Sequence, residues 1–213
     1  MKRELPGAET LDLGGVAIHR GFLGPEAQAA AVDALRQVAA AAPFLRPETS
    51  RGKKMSVRMT SAGQVGWISD RRGYRYDAAH PAGTEWPPIP DVFLDLWAEV
   101  AECKRPPDTC LVNFYGEGAR MGLHQDRDEA STDFPVVSLS LGDDALFRVG
   151  GLERRDPTRS IWLGSGDVAV LGGAARMVYH GIDRIRFGSS NLLPEGGRIN
   201  VTLRVATETC RHG

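Results

Sequence analysis

Two potential metal ligands lie close together in the sequence, and a third follows after a longer interval. His124 and Asp126 are separated by one residue, and His180 lies 54 residues beyond Asp126. Side chains at positions i and i+2 of a β-strand point to the same face, so an imidazole and a carboxylate are directed to one point. By itself, a His-x-Asp pair is more often a hydrogen-bonded surface pair. Together with a second histidine, it is the ligand set that leaves one face of an octahedral non-haem Fe(II) open.

A pair of arginines near the carboxy terminus adds a second chemical feature. Arg198 and Arg204 are six residues apart, with Asn200 between them. Even separations place all three on the same face of a regular strand. Guanidinium groups that point into a barrel need carboxylates, which they bind by bidentate, charge-assisted hydrogen bonds. A dicarboxylate co-substrate would supply two such groups, whereas the alternative is the solvated outer face of an edge strand.

The chain divides into a helical part and a part rich in strands. The pattern predicts a helix from Pro25 to just before Pro43, with proline in the first turn, and another after Pro90 in the run DVFLDLWAEVAECK. In that second run the apolar residues on one helical face are Val92, Phe93, Leu96, Trp97 and Val100. From Thr109 onward, short apolar runs alternate with Gly, Asp, Pro or Ser, which predicts many short antiparallel strands. We therefore expect helices followed by a β-sandwich or jelly roll.

Composition limits the class of protein. The chain has 213 residues and a formal net charge of −1, the balance of one ordinary domain that needs no metal or disulfide merely to fold. Near-neutral charge argues against proteins that coat nucleic acid by bulk positive charge. No apolar run reaches the roughly 18–20 residues of a membrane span, and the amino terminus is polar, so we expect a cytoplasmic location without membrane attachment.

The charge is unevenly distributed along the chain. Residues 46–75 hold eight basic and two acidic residues, a net charge of +6, so the remainder carries −7. A charged run is usually a solvated face. Beside a candidate oxygenase site, interleaved with Trp67 and Tyr74, it favours a surface for phosphates and bases.

Four ordered runs resemble a known family. LVNFYGEGARMGLHQDRDE, FRVGGLERRDPTRS, GDVAVLGGAARMVYHGI and RINVTLR are similar to the AlkB family of Fe(II)- and 2-oxoglutarate-dependent nucleic-acid dealkylases. MSVRMTSAGQVGWISDRRGYRY resembles its nucleotide-recognition lid, and the resemblance extends over roughly residues 55–205. It implies an α+β, mainly β fold, a double-stranded β-helix (jelly roll) with N-terminal helices and a lid. Residues 1–213 would form one domain, with a helical extension at 1–45, the lid at 46–90 and the catalytic core at 108–206.

The resemblance also implies ligands for the cofactors. Fe(II) would be held by the catalytic triad His124, Asp126 and His180. The co-substrate 2-oxoglutarate would contact Asn113, Tyr115, Arg198, Asn200 and Arg204. Arg204 would bind its distal carboxylate and Arg198 the end that chelates iron, with molecular oxygen as the third reactant.

For the substrate, the resemblance implies a stacked base and a polar rim. Trp67 would stack on one side of the base with His124 on the other, while Tyr74 contacts the adjacent backbone. The remaining substrate contacts would be Asp128, Arg154, Met55 and Lys53. A carboxylate such as Asp128 suits a cationic lesion. Lys53 and Leu171 depart from the family, since bacterial relatives often have aromatic residues there, which puts the substrate range in question.

The implied activity is oxidative demethylation of 1-methyladenine and 3-methylcytosine in DNA, preferably single-stranded, with RNA as a further substrate. Formaldehyde would be released, and 2-oxoglutarate and oxygen would become succinate and carbon dioxide, in a monomeric enzyme. Two other hypotheses stay open. One keeps the oxygenase core but gives it a protein side chain, a tRNA modification or a small metabolite as substrate. The other is a nucleic-acid binding module on an inactive barrel.

Overall fold

The structure, a computed structural model, describes residues 9–49 and 52–208. Helices span Pro25–Ala41 (α1) and Asp91–Val100 (α2), and Gly173–Ala175 form a 3-10 turn. The strands are β1 (Thr10–Leu13), β2 (Val16–His19), β3 (Arg58–Gly63), β4 (Gly66–Asp70), β5 (Gly73–Asp77), β6 (Thr109–Tyr115), β7 (Met121–His124), β8 (Val136–Gly142), β9 (Asp144–Val149), β10 (Arg159–Leu163), β11 (Val168–Leu171), β12 (His180–Arg186) and β13 (Arg198–Arg204).

The strands form two facing sheets and a separate hairpin. The large sheet has the order β1-β2-β11-β8-β13-β6-β3, the small one has the order β10-β9-β12-β7, and β4 pairs with β5 alone. Along β6, Cys110 and Val112 pack in the apolar layer beneath the helices, whereas Leu111 and Tyr115 belong to the layer between the sheets. This alternation gives the large sheet two buried faces. The predicted mainly β jelly roll with two helices is therefore confirmed.

Both helices begin at the predicted prolines. α1 starts at Pro25 and buries Ala31, Val32, Leu35 and Val38, which fall on one helical face. In α2 the buried residues are Phe93, Leu96, Trp97 and Val100, with Val92 packed against the same cluster. α2 ends at Val100, before the end of the predicted run, because Ala101 is its C-cap and Glu102 has a φ of 49°.

The amino-terminal segment differs from the predicted helical extension. Ahead of α1, β1 and β2 form a hairpin, and β2 pairs with β11 to extend the large sheet. Val16 and Ile18 are fully buried, and the turn contains Gly14 and Gly15, both with positive φ. Two four-residue strands are too short to give a clear alternating signal. Residues 1–8 lie outside the described part of the chain.

The predicted lid segment is also divided differently. β3 pairs along its whole length with β6 and forms an edge of the large sheet. Within the described residues of 46–90, the β4–β5 hairpin is the regular structure that belongs to neither main sheet. Part of the segment expected to be a lid is therefore barrel wall.

No helix in the described residues is long and apolar enough to cross a membrane.

The connection before β13 is fixed by one buried carboxylate. Asp143 is fully buried. Its carboxylate oxygens accept hydrogen bonds from the backbone N–H groups of Gly188, Ser190 and Gly197, with N···O distances of 2.9, 2.9 and 2.7 Å. Because Gly197 directly precedes Arg198, this carboxylate helps to set where β13 enters the sheet.

We expect Asp143→Ala to lower the free energy of unfolding by about 3 kcal/mol, since the substitution leaves buried donors without an acceptor. Urea denaturation measures the loss. Asp33→Ala is the matched control, because Asp33 pairs with Arg36 on the exposed face of α1 and its removal should cost less than about 1 kcal/mol. Equal losses in the two variants would contradict this role of Asp143.

Candidate active site

The three predicted metal ligands meet at one end of the cavity between the sheets. His124 ends β7 and His180 begins β12, and these two residues are partners in the antiparallel pairing. His124 Nε2 lies 3.8 Å from Asp126 Oδ1, and His180 Nε2 lies 3.7 Å from Asp126 Oδ2. One ligand atom from each residue falls within 4.8 Å of the others. The structure therefore brings the triad together although Asp126 lies just beyond the end of β7.

Backbone carbonyls orient both imidazoles. His124 Nδ1 lies 2.9 Å from the Gly122 carbonyl, and His180 Nδ1 lies 3.1 Å from the Val178 carbonyl. A neutral imidazole that donates from Nδ1 presents the lone pair of Nε2 on its other side. Burial lowers the pKa of His180 to about 4, so this ring is neutral at physiological pH. His180 therefore has the protonation state that a metal ligand requires, and the His124 ring is held by the same kind of backbone contact.

Asp126 is the negatively charged member of the metal-ligand triad. Burial alone would raise the pKa of Asp126, but the positive charge of Arg204, whose Nη2 lies 2.9 Å from Asp126 Oδ2, outweighs it. The pKa is held well below its usual range, so the carboxylate is ionised. Two imidazoles and one carboxylate match the ligand set of non-haem Fe(II) sites. The residues present fit this metal.

Arg198 is a buried cation without a protein counter-ion. It is 1% exposed, and its Nη2 donates to Ser140 Oγ at 2.9 Å. Its Nε and Nη1 are buried without a hydrogen-bond partner, and no carboxylate of the described residues forms an ion pair with it. Burial lowers its pKa to about 10, which still leaves it charged at neutral pH. Such an arrangement needs an anion, and a carboxylate of 2-oxoglutarate fits the guanidinium.

The two arginines lie at opposite ends of β13. Arg204 lies at the metal end, in contact with Asp126, whereas Arg198 begins the same strand six residues earlier, about 20 Å away along the backbone. The family resemblance implies Arg204 at the distal carboxylate and Arg198 at the chelating end, whereas the contact of Arg204 with Asp126 favours the opposite order. Even spacing identifies the shared face of a strand, but not which end of that strand approaches the metal.

The other predicted co-substrate residues face the same cavity, which has a volume of about 600 Å³. Asn200 pairs with Asn113 across β13 and β6, and Asn113 Nδ2 lies 3.4 Å from Asn200 Oδ1. The Asn113 Oδ1 atom is buried without a partner. Burial raises the pKa of Tyr115 to about 12, so its hydroxyl remains a donor. Polar groups therefore follow the cavity wall from one arginine to the other.

The predicted substrate residues occupy the mouth of the cavity, with one exception. The rings of Trp67 and Tyr74 stack with centroids 5.4 Å apart, and Trp67 Nε1 donates to Asp128 Oδ2 at 3.0 Å. Met55 and Arg154 also line the cavity. The cavity-lining residues do not include Lys53, which is exposed.

Leu171, the second departure from the family pattern, is 1% exposed. It packs in the apolar layer between the sheets and does not line the cavity.

A network of buried polar side chains lies beside the triad, and the sequence did not predict it. Tyr76 and Glu129 line the cavity, and Arg176 contacts Glu129 from behind. Tyr76 follows Tyr74 at the i+2 spacing of a strand, a signal that could have identified it. Glu129 lies in the charged run DRDE, which is typical of a solvated turn, yet its side chain is 2% exposed.

Comparison with known proteins gives consistent matches. A family model described as the 2OG-Fe(II) oxygenase superfamily matches residues 15–204. The chain is 56% identical over 193 residues to an alpha-ketoglutarate-dependent dioxygenase AlkB homolog of Caulobacter vibrioides, covering 90% of this chain and 88% of the relative. It is 38% identical over 206 residues to alpha-ketoglutarate-dependent dioxygenase AlkB of Escherichia coli, with 94% of each chain covered. The solved structure of OsALKBH1 superposes with a TM-score of 0.77 at 30% identity, covering 92% of this chain and 100% of that one.

The triad geometry predicts that Asp126→Ala weakens binding of Fe(II), or of Co(II) as a spectroscopic substitute, by at least about 100-fold, because the charged ligand is lost. Anaerobic titration followed by visible absorption measures the affinity. Asp128→Asn is the matched control, since Asp128 is exposed and two residues away from the triad aspartate. Unchanged metal affinity in the Asp126 variant would remove this carboxylate from the site.

Proposed function

Because this chain belongs to the AlkB family of Fe(II)- and 2-oxoglutarate-dependent dioxygenases, we propose that it removes small alkyl groups oxidatively from base nitrogens of damaged DNA. Its cofactors are Fe(II), 2-oxoglutarate and molecular oxygen. The observation that carries the proposal is the presence, in one cavity, of a preformed two-histidine, one-carboxylate ligand set and a buried arginine without a counter-ion.

The two arginines would bind opposite ends of 2-oxoglutarate. Arg198, deep in the barrel, would pair with the distal carboxylate, and Arg204, beside Asp126, would interact with the end nearest the metal. Asn113 and Tyr115 would donate hydrogen bonds between them. This assignment is supported by the contact of Arg204 with a metal ligand and by the free nitrogens of Arg198.

When bound, the iron with its co-substrates supplies the oxidation of a carbon–hydrogen bond on the alkyl group, with formaldehyde, succinate and carbon dioxide as products. The residues of this chain position the reactants. His124 and His180 would hold the metal through their ring nitrogens, and the ion pair of Asp126 with Arg204 keeps the carboxylate charged. The cavity walls limit the access of water, which favours the productive geometry.

Base recognition would take place at the cavity mouth. Trp67 offers a flat aromatic surface, and its indole N–H holds the carboxylate of Asp128 close by. A carboxylate attracts a cationic ring more than a neutral one, which favours 1-methyladenine and 3-methylcytosine. A base must leave a duplex to enter such a cavity, so single-stranded DNA would be preferred.

Three further properties belong to this proposal. RNA would serve as a second substrate, because stacking and phosphate contacts do not require deoxyribose. The enzyme would act as a monomer, since one chain supplies the triad and both arginines. A cytoplasmic location is supported by Cys103 and Cys110, which are free thiols.

The direct test is anaerobic reconstitution with Fe(II), followed by 2-oxoglutarate, oxygen and a single-stranded oligonucleotide that contains 3-methylcytosine. We expect one formaldehyde and one succinate for each lesion removed, and no lesion loss with Asp126→Ala. A correctly metallated protein that consumes neither lesion nor 2-oxoglutarate would contradict the proposal.

Reversing the charge of the basic segment distinguishes a nucleic-acid substrate from a protein or metabolite substrate. The side chains of Lys53, Lys54, Arg71 and Arg72 are exposed on the basic segment. Reversing all four to Glu should lower the slope of log affinity against log salt by about 3 for single-stranded DNA. Unchanged salt dependence would mean that this segment does not bind phosphate.

If Arg198 binds the distal carboxylate, its loss and the loss of Arg204 should have different effects on the selectivity for 2-oxoglutarate. Arg198→Met should abolish the preference for 2-oxoglutarate over 2-oxopentanoate, which lacks the distal carboxylate, because the counter-ion of that group is gone. Arg204→Met, the matched control, should weaken both compounds but keep the preference. Competition binding to the anaerobic Mn(II) protein measures the affinities. The opposite pattern would restore the order predicted from sequence.

A further inference from the structure

A buried carboxylate connects the β4–β5 hairpin to Arg204. Glu129, with a side chain 2% exposed, accepts a hydrogen bond from Tyr76 Oη at 2.8 Å and contacts Arg204 Nε at 3.1 Å. Arg176 Nη2 lies 3.2 Å from its other oxygen. We propose that Glu129 is a positioning residue that couples the seating of this hairpin to the binding of 2-oxoglutarate. The inference rests on the proposed function of Arg204.

The charges of this cluster balance within the protein. Glu129 and Asp126 face Arg176 and Arg204, so two buried anions meet two buried cations. A buried carboxylate is tolerated when its partners are in good geometry, and removal of one partner leaves the others uncompensated. The position of each group therefore depends on the other three.

Arg176 fixes the position of Glu129. Its guanidinium is 3% exposed and donates to the Asp126 carbonyl at 2.6 Å and to the Phe134 carbonyl at 2.8 Å. These two carbonyls flank the segment that carries Glu129. Arg176 thus fixes the position of the Glu129 carboxylate. A displacement of Tyr76 should therefore displace Arg204 as well, and the reverse.

Arg204 is oriented from two sides. Its Nη2 lies 2.9 Å from Asp126 Oδ2, and its Nε lies 3.1 Å from Glu129 Oε1. Without the Glu129 contact, the Arg204 guanidinium could rotate while it keeps its ion pair with Asp126. Binding of a co-substrate carboxylate would then cost more conformational entropy, because the Arg204 side chain would have to be ordered on binding.

The hairpin reaches this network through one hydroxyl. Tyr76 lies on β5, and burial raises its pKa above the ordinary value, so the phenol stays protonated and donates to Glu129. The hairpin contacts the neighbouring residue of the same segment at the rim, where Trp67 donates to Asp128. Two adjacent acidic residues therefore tie the hairpin to the loop that carries Asp126, one at the surface and one inside.

Coupling between two sites is reciprocal. If Glu129 orients Arg204 best when Tyr76 is in place, 2-oxoglutarate stabilises the seated hairpin. A nucleotide that seats the hairpin then tightens 2-oxoglutarate by the same factor. The hydroxyl of Tyr76 and the carboxylate of Glu129 should carry this factor together.

The test uses the full chain with Mn(II), anaerobically, so that no turnover occurs. Isothermal titration gives the Kd of 2-oxoglutarate, and amide hydrogen exchange of residues 66–77 with and without 2-oxoglutarate reports on the hairpin. We expect 2-oxoglutarate to slow exchange in the wild type. Tyr76→Phe should lose this slowing and raise the Kd by about 5-fold or more. Asp77→Asn is the control, since Asp77 lies on the same strand but outside the cavity and should change neither value.

Glu129→Gln should reproduce the effect of Tyr76→Phe, and the double variant should add little to either one, because the two groups act through a single contact. If Glu129→Gln does not fold, the conservative Tyr76→Phe decides alone. Wild-type Kd and wild-type slowing in Tyr76→Phe would overturn the coupling. A wild-type protein that fails to bind 2-oxoglutarate would instead overturn the proposed function.

Discussion

The negative charge of Asp126 has to be balanced inside the barrel, and Arg204 lies 2.9 Å away to balance it. A carboxylate removed from water keeps its charge only if a cation or hydrogen-bond donors replace the solvent. Arg204 is the last residue of the inner strand β13, so the metal end of the cavity is fixed to the backbone of the large sheet. The same ion pair connects the ligand set to the buried network of Glu129 and Arg176.

The register of β13 determines what the rest of the cavity contains. This strand lies between β6 and β8, and its pairing with β6 places Arg198 opposite Tyr115 and Asn200 opposite Asn113. A slip of one residue would turn both arginines towards the apolar layer beneath the helices. The backbone pairing is therefore a condition for the chemistry as well as for the fold, and it explains why a chain of short strands can hold charged groups in fixed positions.

How far the sequence predicts this molecule depends on the range of the signal. β6, β13 and the starts of both helices follow from local alternation and from proline, and the triad follows from residue types and spacing. The order of Arg198 and Arg204 could not be predicted, because periodicity identifies a face and not a direction. The burial of Glu129 could not be predicted either. Its neighbour Asp128 is exposed, and the partners that stabilise Glu129 come from distant strands and loops.

The unpaired guanidinium of Arg198 also bears on the life of the protein before any reaction occurs. A fold that holds an uncompensated buried cation is incomplete, and an anion that binds there stabilises the native state by mass action. The folded population, and with it resistance to proteolysis, then rises with the concentration of that anion.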